Sequence, residues 1–321
     1  MSEIKRPVII YEQVRKNQIK TVLLIAFYII IILVMSYTIG YYADNMAFGI
    51  GIGVFIVCIL MPVQIFTGTK MVGSRTNWKE ANMSNPNESR IANLVEGLSI
   101  AAGIKDTPKL YIIPANIPNA FAGGLSLKNA YIGVTTGLIE ILDEPEMEGV
   151  LAHEMSHIIQ RDILVSTVSV YLMSAAIVLG TILYRISRYN IVYGGRNSSR
   201  SSDSRDNENS AETLALIALA GMFLSYIIRF VAQIINLAIS RKREYIADAN
   251  AVRLCGYSEG IANALEKIQS HSPEYSKEQV DNLGGDEMLG LYIFNPKHWI
   301  LPLFSTHPPI EERIRILRNM Y

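Results

Sequence analysis

Cysteine is scarce in this chain, and neither sign of charge is in excess. The 321 residues include 2 cysteines, Cys58 and Cys255, which form neither a CxxC pair nor a spacing typical of a disulfide. Both are expected to pack as small hydrophobic side chains, which is consistent with a reducing compartment. Basic and acidic residues number 29 each. This balance argues against a nucleic-acid-binding surface.

Long stretches also lack charge, and 50% of all residues are hydrophobic. Residues 21–41 contain no charged side chain and are long enough to cross the hydrocarbon core of a bilayer. This run is longer than the apolar core of a signal peptide and no A-x-A cleavage site follows it, so we expect it to remain as an anchor. A second apolar run, 46–66, follows after a short connector. The two runs are therefore predicted to form a transmembrane hairpin.

Basic residues flank this hairpin on both sides, at Lys5, Arg6, Arg15, Lys16 and Lys20 before it and at Lys70, Arg75 and Lys79 after it. The positive-inside rule therefore places both flanks in the cytoplasm. The prediction is a multi-pass protein of the plasma (inner) membrane, in contact with the lipid bilayer, whose soluble part faces the cytoplasm.

Two further apolar runs, 163–184 and 213–230, are predicted to form a second hairpin, which gives about four transmembrane helices in two hairpins. The alternative is that these runs are buried helices of a large soluble domain. The segment between them, 194–212, is polar, serine-rich and of mixed charge. Such a composition predicts a flexible loop.

The chain between the hairpins has the pattern of a mostly helical domain with a small β-sheet. Residues 87–102 place apolar side chains, among them Ile100, on one face of a helix that ends at Gly103. Three short β-like stretches follow, at 109–113, 119–125 and 130–136. A helix with acidic residues in its first turn is then predicted to begin within 143–146. This helix carries the run HEMSH, residues 153–157.

HEMSH has the spacing of a zinc-binding motif. On a helix, His153 and His157 lie one turn apart and face the same way, so both imidazoles can reach one ion at about 2 Å. Glu154 points too far around the helix to be a ligand, but it can accept a proton from water at the metal and act as a general base. The pattern predicts one catalytic zinc ion per chain.

A catalytic zinc site needs a third protein ligand and one open position. Glu244 is the predicted third ligand, and Asp248 lies four residues later on the same helical face. Asp248 is predicted to orient a ligand histidine rather than to bind the metal. If the runs 163–184 and 213–230 both span the membrane, His157 and Glu244 lie on the same side of it, as a shared site requires.

The C-terminal sequence STHPPIEERIRILR predicts a helix with glutamates early and arginines late, which suits the helix dipole. His307 precedes two prolines in an extended, stiff segment that would suit a positioned hydrogen-bond donor. A lone histidine in such a place is more often an ordinary loop residue, and both interpretations stay open on the residues alone. His271 and His298 are predicted to be structural.

Four motifs, NAFAGG, HEMSH, SRKREYIAD and STHPPIEER, together resemble the HtpX-like membrane endopeptidases, which are gluzincins related to the type 1 CAAX prenyl proteases. The resemblance spans nearly the whole chain. It implies a zincin-like catalytic domain in which His153, His157 and Glu244 bind zinc and Glu154 is the catalytic residue.

The same resemblance implies roles for residues outside this group. His307 and Arg313 match family positions that look toward the substrate or the oxyanion. Asn119, Ala120 and Phe121 match an edge strand that lays a peptide alongside the active site, and strand addition holds a peptide without requiring a particular sequence. Phe121 taken alone is more typical of a core aromatic residue.

The predicted fold is an α+β membrane protein in which two hairpins interrupt a mostly helical catalytic domain. Asp162 also resembles a family position, but no role is assigned to it. The predicted segments are an N-terminal part with the first hairpin, the first part of the catalytic domain with HEMSH, the second hairpin, and the second part of the catalytic domain, at 1–67, 68–162, 163–240 and 241–321.

The leading hypothesis for function is quality control, in which the protease hydrolyses misfolded or damaged membrane proteins from the cytoplasmic side, as the resemblance implies. A processing protease of the CAAX prenyl type is the first alternative. The second is a catalytically silent membrane scaffold on a protease fold, against which the complete set of Glu154 and metal ligands argues. Protein or peptide substrates are expected in both protease hypotheses.

Overall fold

The computed structural model of the chain describes residues 7–42, 45–60, 62–63, 77–168, 170, 241–271, 293 and 308–320. The chain divides into two compact units. The first comprises Met1–Thr21, Thr69–Val168 and Asn236–Tyr321, and the second comprises Val22–Gly68 and Ser169–Ile235. The three predicted metal ligands all belong to the first unit. The predicted segment boundaries near 67, 162 and 240 stay predictions.

Two apolar helices begin the described chain. Helix α1 is Pro7–Tyr42, and α2 is Met46–Phe55, followed by the π-helical turn Ile56–Leu60. Within the described residues, one helical stretch is long and apolar enough to cross a membrane, namely Arg15–Val34 of α1, and a shorter apolar helix covers Met46–Ile59.

The predicted first run, 21–41, therefore lies within α1. Of the third predicted run, only 163–168 and 170 are described, whereas the fourth run, 213–230, and the loop 194–212 lie outside the described residues. The count of about four spans in two hairpins accordingly stays a prediction.

Helix α3, Pro86–Ala102, is confirmed to within one residue of its predicted start. The side chain of Asn85 caps its first turn, and Gly103, at φ 68°, ends it in the left-handed conformation that glycine adopts without strain. The placement of Ile100 on the apolar face is wrong, because its side chain is 75% exposed. The buried apolar residues of α3 are Ile91, Val95 and Leu98.

The described residues contain a four-stranded mixed sheet with the order β1-β2-β4-β3. Strands β2 and β4 are parallel, and the two outer pairs are antiparallel. Strands β2, β3 and β4 lie in the three predicted β-like stretches, whereas β1 has only two exposed residues and no pattern that would reveal it. The strands are Lys79–Glu80, Lys109–Ile113, Ala120–Gly123 and Tyr131–Thr135.

Further helices follow along the chain, and α5 is the central one among them. They are α4 (Thr136–Ile141), α5 (Glu144–Ile159), α6 (Arg241–Cys255), α7 (Glu259–Ser270) and α8 (Ile310–Arg318). Helices α3, α6 and α7 all pack on α5, whose residues are mostly buried. Gly149 permits the approach of α7, since a Cβ at this position would lie 2.6 Å from the backbone nitrogen of Ile261. The prediction of a mostly helical domain with a small sheet is confirmed.

Candidate metal centre and active site

Helix α5 holds the two histidines of HEMSH on one buried face. Asp143 caps the helix, because its carboxylate accepts from the backbone of Glu146 at 3.0 Å while the Glu146 carboxylate accepts from the backbone of Asp143 at 2.9 Å. From this fixed start the helix places His153 and His157 one turn apart. Their Nε2 atoms are 3.2 Å from each other.

Glu244, near the start of α6, brings a carboxylate to the same point. Its oxygens lie 3.6 Å from Nε2 of His153 and 3.7 Å from Nε2 of His157. These separations are long for hydrogen bonds, but ligand atoms at about 2.0–2.1 Å from a tetrahedral ion stand about 3.3 Å apart. The donor set and its spacing therefore fit a zinc ion, and the structure brings the three predicted ligands together.

Glu154 is buried beside the ligands and only 2% exposed. Burial by itself lowers the pKa of the Arg313 guanidinium, but the carboxylates of Asp248, Glu244 and Glu154 outweigh this effect and raise it. The Glu154 carboxylate thus lies close enough to Arg313 to affect the pKa of its guanidinium. A carboxylate there suits the predicted general base.

Asp248 contacts His153 at Nδ1, on the side of the ring that faces away from the metal position. Its Oδ1 lies 2.9 Å from Nδ1 of His153, so that Nε2 of the same ring is left for the metal. Burial lowers the pKa of His153, but hydrogen bonds to Asp248 and Glu244 outweigh it and raise the pKa to about 9. A metal ion must therefore displace a proton from this ring when it binds near neutral pH.

Arg313, on α8, holds Asp248 in place. Its Nε donates to Asp248 Oδ2 at 2.9 Å and its Nη2 donates to Oδ1 at 2.7 Å, and both side chains are at most 1% exposed. The remaining nitrogen, Nη1, lies 3.9 Å from the Glu244 carboxylate and has no hydrogen-bond partner among the described residues. The predicted position of Arg313 near the oxyanion stays a prediction, and His307 lies outside the described residues.

The predicted peptide-binding strand is β3, at the edge of the sheet. Asn119 is fully buried, and its backbone exchanges hydrogen bonds with Thr135. The carbonyl oxygen of Ala120 accepts from the backbone of Ile293 at 2.9 Å, so this acceptor is already paired. Phe121 is 0% exposed and packs among the aromatic rings of the sheet, which favours the core interpretation of this side chain.

Sequence reasoning noted Asp162 as a residue that resembles a family position but missed its role as a second carboxylate near the metal ligands. Asp162 Oδ2 lies 3.3 Å from Nδ1 of His157, and its Oδ1 accepts from Arg243 at 2.7 Å and from Asn17 at 2.6 Å. Two signals were available, since Asp162 follows HEMSH closely and Arg243 immediately precedes Glu244. Nothing in the sequence distinguishes Asn17.

Comparison with known proteins decides the family. The model of peptidase family M48 matches residues 85–321, which include all three predicted ligands. The chain belongs to peptidase family M48.

Relatives of this M48 peptidase match nearly its whole length. A protein named "Protease HtpX homolog" from Dictyoglomus thermophilum is 35% identical over 319 residues, covering 98% of this chain and 96% of the relative. One of the same name from Streptococcus pyogenes serotype M28 is 38% identical over 315 residues, covering 97% and 100%. The crystal structure of S. mikatae Ste24p aligns with 96% of this chain and 67% of its own at 20% identity, with a TM-score of 0.44.

The predicted HtpX-like resemblance and the predicted metalloprotease activity are therefore confirmed. The M48 match begins at residue 85, so helix α1 and its Asn17 lie outside it. The identity of each metal ligand and of the base stays a prediction that the geometry supports. The substrate-binding role of Asn119, Ala120 and Phe121 stays a prediction without such support.

Proposed function

We propose that this M48 peptidase is a zinc endopeptidase that hydrolyses misfolded or damaged membrane proteins at the cytoplasmic face of the plasma membrane. One observation carries the proposal: the ligand atoms of His153, His157 and Glu244 stand 3.2 to 3.7 Å apart, next to the buried Glu154. Among the described residues this group has three protein ligands, the number found in catalytic zinc sites, where water takes the fourth position.

Each residue of the site has a separate role in the proposed reaction. When bound, a zinc ion lowers the pKa of water and polarises the substrate carbonyl. The Glu154 carboxylate takes the proton from the attacking water and later gives it to the leaving amine. Asp248 and Arg313 keep the His153 ring oriented, and His307 is proposed to donate to the oxyanion.

Membrane-protein substrates are supported by the apolar part of α1, in which large hydrophobic side chains are exposed, among them Val22, Leu23 and Val34. The positive-inside rule supports the cytoplasmic side. Broad specificity would follow from strand addition at β3, Ala120–Gly123, because backbone pairing needs no particular sequence, although the Ala120 carbonyl is already paired with Ile293 and does not take part.

Metal analysis and proteolysis test the chemistry. Purified Glu154→Gln protein is expected to keep one zinc per chain and to lose cleavage of a casein-type substrate, whereas Glu244→Ala should lose the zinc itself. Glu140→Gln is the matched control, because Glu140 is exposed on the neighbouring helix α4. Full activity of Glu154→Gln would overturn the assignment of the base, and full zinc content of Glu244→Ala would overturn the third ligand.

A second assay tests the substrate class. The enzyme in lipid vesicles is offered a destabilised membrane protein, its folded parent and a prenylated CAAX peptide. Preferential cleavage of the destabilised protein supports quality control. Cleavage of the prenylated peptide alone would favour the processing protease, and zinc binding without cleavage of any of the three would favour the silent scaffold.

A further inference from the structure

Asp162 stands in the same relation to His157 as Asp248 does to His153. Each carboxylate lies at the Nδ1 side of its histidine, at 3.3 Å for Asp162 and 2.9 Å for Asp248, so that both Nε2 atoms face the metal position. Carboxylates in this place fix the tautomer and orientation of ligand imidazoles. The site therefore has a carboxylate beside the Nδ1 atom of each histidine.

Each of these carboxylates is held by an arginine. Arg313 holds Asp248, and Arg243 holds Asp162 through Nη1 at 2.7 Å. Arg243 immediately precedes the third ligand on α6, so the ion pair also ties the start of that helix to the segment after HEMSH. Asp162 and Arg243 are 4% and 8% exposed, which means that solvent screens their attraction little.

Asn17 joins this pair from the N-terminal helix. Its Nδ2 donates to Asp162 Oδ1 at 2.6 Å and to the carbonyl of Gln160 at 3.3 Å, and its Oδ1 accepts from Arg243 Nη1 at 3.2 Å. A side-chain amide both donates and accepts hydrogen bonds, so Asn17 can bond to the Asp162 carboxylate and the Arg243 guanidinium at the same time. Asn17 is 3% exposed and lies in the part of α1 that belongs to the first compact unit.

We propose that Asp162 is the positioning residue for His157, and that Asn17 fixes Asp162, so that the N-terminal helix contributes to the metal site. The inference rests on the zinc site of the proposed function. It extends that site to a residue before the M48 match, which begins at residue 85. Neither side chain touches the metal position, and both act through the orientation of the His157 ring.

Zinc affinity, measured by chelator competition on the full-length protein in detergent, is the readout. All variants carry Glu154→Gln, so that proteolysis does not contribute. Asp162→Asn is expected to weaken zinc binding about 10- to 100-fold, the usual range for such partners, and Asn17→Ala about tenfold. The absorption spectrum of the Co²⁺-loaded protein should change in the same variants, because it reports the geometry of the ligands.

The matched control is Thr21→Val, one helical turn after Asn17. Thr21 is 5% exposed, and its hydroxyl donates to the backbone carbonyl of Asn17 within the same helix. The Thr21→Val change should leave zinc affinity and the Co²⁺ spectrum unchanged. The double variant Asn17→Ala/Asp162→Asn should bind zinc no more weakly than Asp162→Asn, because Asn17 acts through Asp162.

Wild-type zinc affinity in Asp162→Asn would overturn the positioning role. Equal losses in Asn17→Ala and Thr21→Val, or additive losses in the double variant, would overturn the role of Asn17. If Asn17→Ala does not fold, Asn17→Ser, whose hydroxyl is too short to bridge the ion pair, replaces it. Failure of the proposed function is separate, since it shows in the chain with native Glu154, as zinc bound without cleavage.

Discussion

Replacement of Asp248 by asparagine tests how the metal site is supported. The change keeps the shape of the side chain and removes its charge at a position that is 1% exposed. One oxygen becomes an NH₂ group, so at least one donor from His153 or Arg313 then faces another donor. Arg313 is 0% exposed and is left as a buried cation without the carboxylate to which it donates two hydrogen bonds.

The expected losses are large. Removal of one partner of a buried ion pair costs about 3–5 kcal/mol. This is a large part of the 5–15 kcal/mol or so by which a typical domain is stable, so the unfolding midpoint should fall strongly. Zinc affinity should fall about 10- to 100-fold, because His153 loses the carboxylate that orients it.

The double variant Asp248→Asn/Arg313→Gln separates these two effects. It removes the uncompensated charge, so much of the lost stability should return, but His153 still lacks its carboxylate and zinc binding should stay weak. Thermal unfolding and chelator competition in detergent measure the two quantities, with the exposed Asp106→Asn as control.

Two outcomes would refute this reasoning. A wild-type unfolding midpoint and zinc affinity in the single variant would show that Asp248 supports neither the fold nor the metal. A return of zinc affinity together with stability in the double variant would show that Asp248 affects the metal only through the fold.

Two further predictions concern the core around α5. Gly149→Ala should cost about 1–3 kcal/mol and lower the unfolding midpoint, because its Cβ would lie 2.6 Å from the Ile261 nitrogen, whereas Gly97→Ala, in open space on a helix, should gain about 0.5–1 kcal/mol. Equal midpoints would contradict the packing of α5 on α7. Burial raises the pKa of the Cys255 thiol to about 12, so in Cys58→Ser protein a water-soluble maleimide should label it on the order of a thousandfold more slowly than free cysteine near pH 8. A rate close to that of free cysteine would show that the pKa of the Cys255 thiol is not raised.

Local elements could be read from the sequence because their signals are local. The apolar period and Gly103 indicated α3, and the acidic residues at 143–146 indicated the start of α5, where the capping box of Asp143 is observed. The predicted placement of Ile100 on the apolar face fails because of tertiary packing. The period predicts a broad apolar face, but the neighbours of α3 cover only part of it.

The partners of the metal ligands could not be read in the same way. Asp248 and Arg313 are 65 residues apart in the sequence, and Asp162 and Arg243 are 81 apart. No periodicity links such pairs, because their contact depends on how α6 and α8 pack. The family resemblance places Arg313 toward the substrate or the oxyanion, which stays a prediction, whereas its contacts were not foreseen: two of its nitrogens donate to Asp248 and the third lies near Glu244.

The sequence by itself determined the metal chemistry, because HEMSH on a helix puts His153 and His157 one turn apart wherever that helix lies. It also determined the apolar stretch of α1, through the lack of charge in residues 21–41. The tertiary structure decided which carboxylate stands behind each histidine, and that Asn17 reaches Asp162. The physical reason is that a buried polar group must find its partner among whatever groups packing brings within hydrogen-bond distance, however far away they lie in the chain.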